Sequence, residues 1–181
     1  MITQRDTFLS GTIIDLVLLE AEDNVTMMQW VNNPLVNKFL SRGATPMTLQ
    51  LEDAFIANAY KKPDNVVFGI WHIKDKKLIG NTGLHSINQL DQTATFGIVI
   101  GNEDYWGNGH GTEVLTLMLD YAFTRRNLRS LTLSVLGNNP RGKKCYEKCS
   151  FVEAGRYPNH VFKEGQWHDE IFMITQNPLY V

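Results

Sequence analysis

Phe96-Gly97-Ile98-Val99-Ile100-Gly101-Asn102-Glu103-Asp104-Tyr105-Trp106-Gly107-Asn108-Gly109-His110-Gly111-Thr112, followed by an apolar run to Arg126, is the stretch around which the rest of the chain is arranged. It reads as a strand, a short connection, a glycine-rich turn and a helix. Gly107, Gly109 and Gly111 leave backbone N–H groups uncovered by Cβ atoms. Together with the positive end of the helix dipole, those groups suit phosphate oxygens. Glu113, Thr116, Asp120 and Thr124 form one polar stripe on the helix. Val114, Leu115, Leu117, Met118, Leu119, Tyr121, Ala122 and Phe123 fill the rest, so most of its circumference is expected to be buried. The turn is not a Walker A loop, since no Gly-Lys-Ser/Thr follows. It is a poor Rossmann fingerprint too, since no acidic residue closes a second parallel strand about 20 residues later. Taken alone, this spacing is met equally by a turn that merely packs a helix on a sheet.

Working outward, 181 residues suffice for one domain with a full core. A net charge of −2 gives no global pull toward nucleic acid or anionic lipid. Apolar runs such as Val66 to Trp71 are too short to span a bilayer. Met1-Ile2-Thr3-Gln4-Arg5-Asp6 has no hydrophobic signal region, and the expected location is cytoplasmic. Cys145 and Cys149 stand four apart in a helical stretch, a poor geometry for a disulfide and short of the ligands a zinc site needs. They read as reduced, packed thiols, and no metal site is expected.

Upstream, Thr12 to Leu19 alternates as a first strand, and Glu22-Asp23-Asn24 opens a short helix through Met27, Met28, Trp30 and Val31. Asn32-Asn33-Pro34 breaks it, and a second short helix holds Leu35, Val36, Phe39 and Leu40. Arg42 to Pro46 reads as a loop. Thr48 caps a helix carrying Leu49, Leu51, Phe55, Ile56 and Tyr60. Three strands then form an antiparallel meander: Val66 to Ile73, Leu78 to Ile87, and the strand ending at Gly101. Gly97 and Gly101 suggest a bulge or the close approach of a backbone or ligand. Downstream, Leu131 to Leu136 is a strand, Gly137-Asn138-Asn139-Pro140 starts a helix through Tyr146 and Cys149, and Phe151 to Val161 with Gln166 to Thr175 close the chain.

Four segments in order resemble the N-acetyltransferase (GNAT) superfamily, in particular its ribosomal-protein-alanine and spermidine acetyltransferase branches. They are Trp106-Gly107-Asn108-Gly109-His110-Gly111-Thr112-Glu113; Asn139-Pro140; Tyr146-Glu147-Lys148-Cys149-Ser150-Phe151; and Gly165-Gln166-Trp167-His168-Asp169-Glu170 with Met173. Trp30-Val31-Asn32-Asn33-Pro34 also fits these branches. The resemblance covers nearly the whole chain. It implies an α/β (α+β) fold in a single domain over residues 1–181. Its central twisted sheet, mixed but mostly antiparallel and of about seven strands, is flanked by helices, with a strand pair splayed at the coenzyme site. It also implies acetyl-CoA as coenzyme. Ile98, Val99 and Ile100 would pair with the pantetheine arm like an added strand. Trp106, Gly107, Asn108, Gly109, His110, Gly111 and Thr112 would hold the pyrophosphate and Asn139 the arm, while Arg141, Lys143 and Lys144 form a local basic cluster suited equally to coenzyme phosphates and to a solvated helix face.

Acetyl transfer to an amine needs a neutral nucleophile, a polarised thioester and a proton for the departing thiolate. By the resemblance Tyr146 is that acid, a phenol with an ordinary pKa of about 10. The base is open between His85, slightly ahead, Glu103 and a water relay. His168 and Asp169 are expected mainly in hairpin hydrogen bonds. Thr95 stands where many relatives carry a glutamate, and Asn32 and Asn33 where spermidine acetyltransferases carry acids. A polycation would miss those carboxylates, so a peptide N-terminus or small amino compound ranks first as acceptor, ahead of a polyamine. A non-catalytic coenzyme A-binding module and an unrelated nucleotide binder are the alternatives. The assembly suggested by the resemblance is a homodimer, with Pro178-Leu179-Tyr180-Val181 at its contact.

Overall fold

A computed structural model describes residues 5–40 and 45–180. One sheet of eight strands organises them, in the order β1-β2-β3-β4-β5-β6-β8-β7. The strands are β1 Thr7–Ser10, β2 Ile14–Val17, β3 Val66–His72, β4 Lys77–Asn88, β5 Thr93–Ile100, β6 Ser130–Leu136, β7 Val152–Lys163 and β8 Gln166–Gln176. The helices are α1 Asn24–Asn32, α2 Pro34–Asn37, α3 Leu49–Asn58, α4 His110–Asp120 and α5 Pro140–Lys148. All neighbouring strands pair antiparallel except β5 and β6, which are parallel. The expected count of about seven becomes eight because Thr7–Ser10 forms a hairpin with Ile14–Val17. Gly11 and Thr12 lie in its turn, which shortens the strand read as Thr12 to Leu19.

The sheet is covered on both faces, and β3 is accordingly almost continuously apolar. The larger core lies between the sheet and α4: Phe68, Ile70, Leu84, Phe96, Val114, Leu115, Met118, Leu131 and Phe151 meet there. Each such side chain contributes about 1.5–3 kcal/mol of transfer free energy when fully buried. A smaller cluster on the opposite face joins Leu19, Met27, Ile56, Ala59 and Val67 to Trp30 and Phe55. This second cluster pins α1 and α3 over the middle strands.

Local chemistry sets several boundaries. Thr48 Oγ1 accepts from Leu51 N–H at 3.3 Å and opens α3, as expected. The buried stripe of α3, however, contains Glu52, Ile56 and Ala59, while Leu49 and Leu51 are exposed. Asn33 caps α2 through Leu35 N–H, with Pro34 at the first turn. Asn32 is held on both ends by the backbone of Met47, at 2.8 Å each. Met47 is the second-last residue before α3, so this bond ties α1 to the entry of that helix. Residues 41–44 of the expected loop and Val181 lie outside the described residues. Tyr180 donates to Asn127 Oδ1 at 2.7 Å, folding the C-terminal turn back on its own chain.

Candidate active site

The site begins with a failure of pairing. β5 and β6 pair only through Thr93–Ser130, Ala94–Leu131 and Thr95–Thr132. Beyond Thr95, β5 stays on β4 as far as Ile100, and β6 stays on β8 as far as Leu136. The two strands therefore splay, and Phe96–Ile100 turn a backbone edge toward the opening. Thr95 marks the apex, its Oγ1 3.5 Å from that of Thr132. Ile98, Val99 and Ile100 lie along the free edge. The Ile100 carbonyl accepts the indole N–H of Trp106 at 2.8 Å.

At the mouth of this opening stands the glycine turn. Gly107 and Gly109 have φ of 80° and 88°, a left-handed conformation that side chains rarely adopt. A Cβ on either would meet no atom within 4 Å, so this backbone faces open space. Gly109 caps α4 without any side-chain acceptor, leaving the first-turn N–H groups turned outward. Asn108 closes the loop by donating to Asp104 O at 3.1 Å. His110 points inward: its Nδ1 is 3.0 Å from Tyr105 O, and its ring packs on His72 and Tyr105. What His110 offers a ligand is thus its backbone. Gly111 and Thr112 face α5, where Cys145 Sγ lies 3.6 Å from Thr112 Oγ1. Both cysteines are free thiols. Across the opening, Asn139 caps α5 by accepting from Gly142 N–H at 2.9 Å. Lys143 is engaged with Glu153 at 3.0 Å, whereas Lys144 is exposed.

Tyr146 projects from α5 against Phe96 and Phe151, at ring distances of 6.4 and 6.2 Å. Burial, reinforced by neighbouring Cys145, pushes its phenol well above the ordinary tyrosine value, so it stays protonated at neutral pH. His85 stands on β4 opposite Thr95. Because alternate residues of a strand point to opposite faces, Tyr146 (through Phe96) and His85 (beside Thr95) approach β5 from opposite sides. The sequence-derived acid and base are not in contact; the splayed strand runs between them.

On the His85 side a cavity of about 220 Å³ is lined by His85, Glu52, Phe55, Asn81, Ile98 and Val99, with Val31 of α1 and Leu40 beyond α2. His85 crosses the Gly83–Gly97 pair, and a Cβ at those positions would come within 3.2 and 3.3 Å of its Nε2. At Gly97, where a bulge or the approach of a backbone or ligand was expected, the neighbour is instead this side-chain ring. His85 Nδ1 lies 2.5 Å from Asn65 Oδ1, an oxygen that only accepts. That bond puts the proton on Nδ1 and leaves Nε2 as the basic nitrogen. Burial lowers the His85 pKa, keeping the ring neutral near pH 7. Glu103 lies on an exposed turn away from this cavity, and Asp169 accepts from Arg156 and Asn159 within the closing hairpin.

Glu52 escaped sequence reading. Its side chain lies in the buried part of α3, with the residue only 2% exposed, among apolar neighbours. The available signal was a carboxylate four residues before Ile56 and seven before Ala59, on the same helical stripe. Among the described residues no cluster of three or more His, Cys, Asp or Glu side chains could hold a metal. Among them, too, no helix is long and apolar enough to cross a membrane.

Comparison with known proteins adds four findings. A family model described as acetyltransferase (GNAT) domain matches residues 14–152. The spermidine N(1)-acetyltransferase of Vibrio cholerae is 37% identical over 94 residues, a match covering 52% of this chain and only about half (54%) of that relative. The spermidine N(1)-acetyltransferase of Escherichia coli K12 is 34% identical over 172 residues, covering 95% of this chain and 90% of that one. Among solved structures, a spermidine N-acetyltransferase from Vibrio cholerae in complex with CoA and spermine superposes with a TM-score of 0.83 at 26% identity, covering 94% and 99% of the two chains.

Proposed function

The chain belongs to the GNAT acetyltransferase family, whose donor is acetyl-CoA, and we propose that it acetylates a primary amine of a polyamine such as spermidine. The observation that carries the acceptor reading is the cavity holding Glu52 and His85 against Ile98 and Val99. A carboxylate in the wall of a cavity otherwise lined largely by apolar groups is complementary in charge to an ammonium carried on an aliphatic chain. This reverses the order of acceptors drawn from Thr95, Asn32 and Asn33. The acid missing from those positions is supplied by α3, and the names of the relatives point the same way.

The donor contributes a thioester whose C–S bond breaks as the new C–N bond forms. Around it the chain's own groups have separate tasks. The free edge at Ile98–Ile100 and the Gly107–Thr112 backbone bind and orient the donor. Glu52 draws the ammonium form of the acceptor into the cavity. His85 Nε2 takes a proton from the amine, directly or through water. Tyr146, kept protonated by burial, returns one to the leaving sulfur. For self-association, the long edge strand β7, exposed along most of its length, is the candidate surface. Purified protein with acetyl-CoA and spermidine should release coenzyme thiol and form acetylspermidine. Release with peptide amines alone would return the acceptor to the peptide class.

A further inference from the structure

Beyond the splay, the face of the sheet that carries His85 continues over β6, β8 and β7, and the transfer steps above make no use of it. Strand register shows which side chains stand there. Thr95 is paired with His85 of β4, and its Oγ1 is 3.5 Å from that of Thr132 on β6, so Thr132 points to the same face. Residues two apart on a strand share a face, which adds Ser134. Ser134 pairs with Phe172 of β8, and Leu136 pairs with Glu170, two residues further on. Glu170 in turn stands opposite Tyr157 of β7, whose ring meets Phe172 edge-on at 5.0 Å. A carboxylate with two aromatic rings beside it therefore lies on the acceptor face. At the far end of the same hairpin Lys163 donates to Asn37 O at 3.4 Å, which seats α2 against it. The Glu170 side chain is 17% exposed, and its ion-pair partner among the described residues is His160, at 3.9 Å, too long for a hydrogen bond.

We propose, on the polyamine reading given above, that Glu170 with Tyr157 and Phe172 forms a second ammonium subsite, which holds the end of the acceptor that is not acetylated. A carboxylate and neighbouring ring faces both attract an ammonium, the first through its charge and the second through the ring quadrupole. Strand spacing sets the reach. Ile98 lies three residues past the Thr95–Thr132 pair and Leu136, opposite Glu170, four residues past it, so the two are nearly level along the strands. A donor arm paired with the free edge of β5 puts the reacting carbon in the opening between β5 and β6. From there β8 is two strand spacings away, roughly 10 Å at about 4.8 Å each. Extended spermidine separates its end nitrogens by about 11 Å at ordinary bond lengths. Glu52 and His85 thus meet the reacting amine, Glu170 meets the other end, and the methylene chain crosses the face at Ser134. The subsite selects diamines and polyamines over monoamines of the same length.

The test compares acceptors that differ only in the second charge. The full chain is assayed by thiol release from acetyl-CoA with spermidine, with 1,8-diaminooctane, and with octylamine, which has the same carbon chain and one amine. The wild type should favour 1,8-diaminooctane over octylamine by about tenfold or more in kcat/KM, as expected for one charge-assisted contact. Glu170→Gln keeps the shape, and should lower kcat/KM for spermidine and 1,8-diaminooctane by about five- to twentyfold while leaving octylamine within about twofold. Tyr157→Leu should give the same pattern at about two- to fivefold, the size of an exposed ring contact. Thermal unfolding shows that each variant is folded, and an unchanged KM for acetyl-CoA shows that the donor site is intact. A Glu170→Gln enzyme that keeps the wild-type ratio of diamine to monoamine would overturn the subsite, as would equal losses on all three acceptors. Either result leaves the polyamine reading in place if spermidine is still acetylated by the wild type. Folded wild type that binds acetyl-CoA but modifies neither spermidine nor 1,8-diaminooctane would remove both.

Discussion

Gly101 directly follows β5, and it lies beneath Trp30 of α1. A Cβ added there would sit 2.0 Å from two carbons of the Trp30 ring and 2.6 Å from a third. Carbon atoms pack at about 3.5–4.0 Å, so in Gly101→Ala the indole must retreat by roughly 1.5 Å. Its retreat disturbs the small cluster with Met27, Ile56 and Val67. Overpacking of this kind costs about 1–3 kcal/mol. At about 2 kcal/mol, a chain of this size should lose roughly 4–8 °C in Tm. Urea unfolding of the single variants, and of Gly101→Ala in a Trp30→Ala background, measures the cost and its origin. Without the indole the methyl group has room, and the substitution should then cost under about 0.5 kcal/mol, giving a coupling of about 1.5–2.5 kcal/mol between the two sites. Equal cost in both backgrounds would refute the reasoning and assign the loss to strand backbone.

Three further outcomes follow from the site. Tyr146→Phe should lower kcat by about 10²–10⁴ while leaving the KM for acetyl-CoA within a few-fold, measured by thiol release; an unchanged kcat would remove the proposed acid. Glu52→Gln preserves shape but not charge, and should reduce kcat/KM for spermidine by about 10–100-fold, as expected for losing a charge-assisted hydrogen bond. Folded His85 takes up its proton at lower pH than the unfolded chain, whose imidazole titrates near 6.5. Between those values the unfolded state binds more protons, so the contribution of His85 to stability is complete above 6.5 and falls as the pH drops. His85→Gln should flatten that part of the stability profile in denaturant titrations. If His85 is the base, the same substitution removes the acid limb of kcat/KM; an unchanged limb assigns the proton transfer elsewhere.

The parts of the fold that were legible in the sequence are those set by short-range chemistry. Gly107 and Gly109 signalled a glycine-rich turn before α4, Thr48 a cap, and the hairpin-length connections between β3, β4 and β5 a meander. The splay of β5 from β6 came from the family resemblance rather than from periodicity, because nothing in Ile98-Val99-Ile100 distinguishes a paired edge from a free one. β1 was missed because Phe8 is exposed and only Leu9 of its four residues is buried, too weak a pattern to read as a strand. Glu52 was missed because an acid in the first turn of a helix ordinarily faces water and favours the dipole, and its burial depends on where α3 lands on the sheet. Arg141 was named for its charge, but its stacking on rings 35 and 102 residues earlier in the chain depends on the fold and not on local sequence. At Gly97 the reading was a bulge or the approach of a backbone or ligand, whereas the group that lies there is the His85 side chain, placed by cross-strand register and not by local sequence.

Transfer of an acetyl group from acetyl-CoA to a polyamine amine, as proposed for this chain, is open to direct measurement. Its most direct test is a steady-state assay that counts released coenzyme thiol against acetylated product by mass spectrometry. Acetyl-CoA would be supplied with spermidine, with a small monoamine, and with a peptide bearing a free N-terminus. Saturable, one-to-one formation of acetylspermidine is the expected result, with the other two acceptors poorer by about tenfold or more, as the loss of a charge contact implies. Folded protein that binds acetyl-CoA yet leaves spermidine unmodified while acetylating the peptide would contradict it.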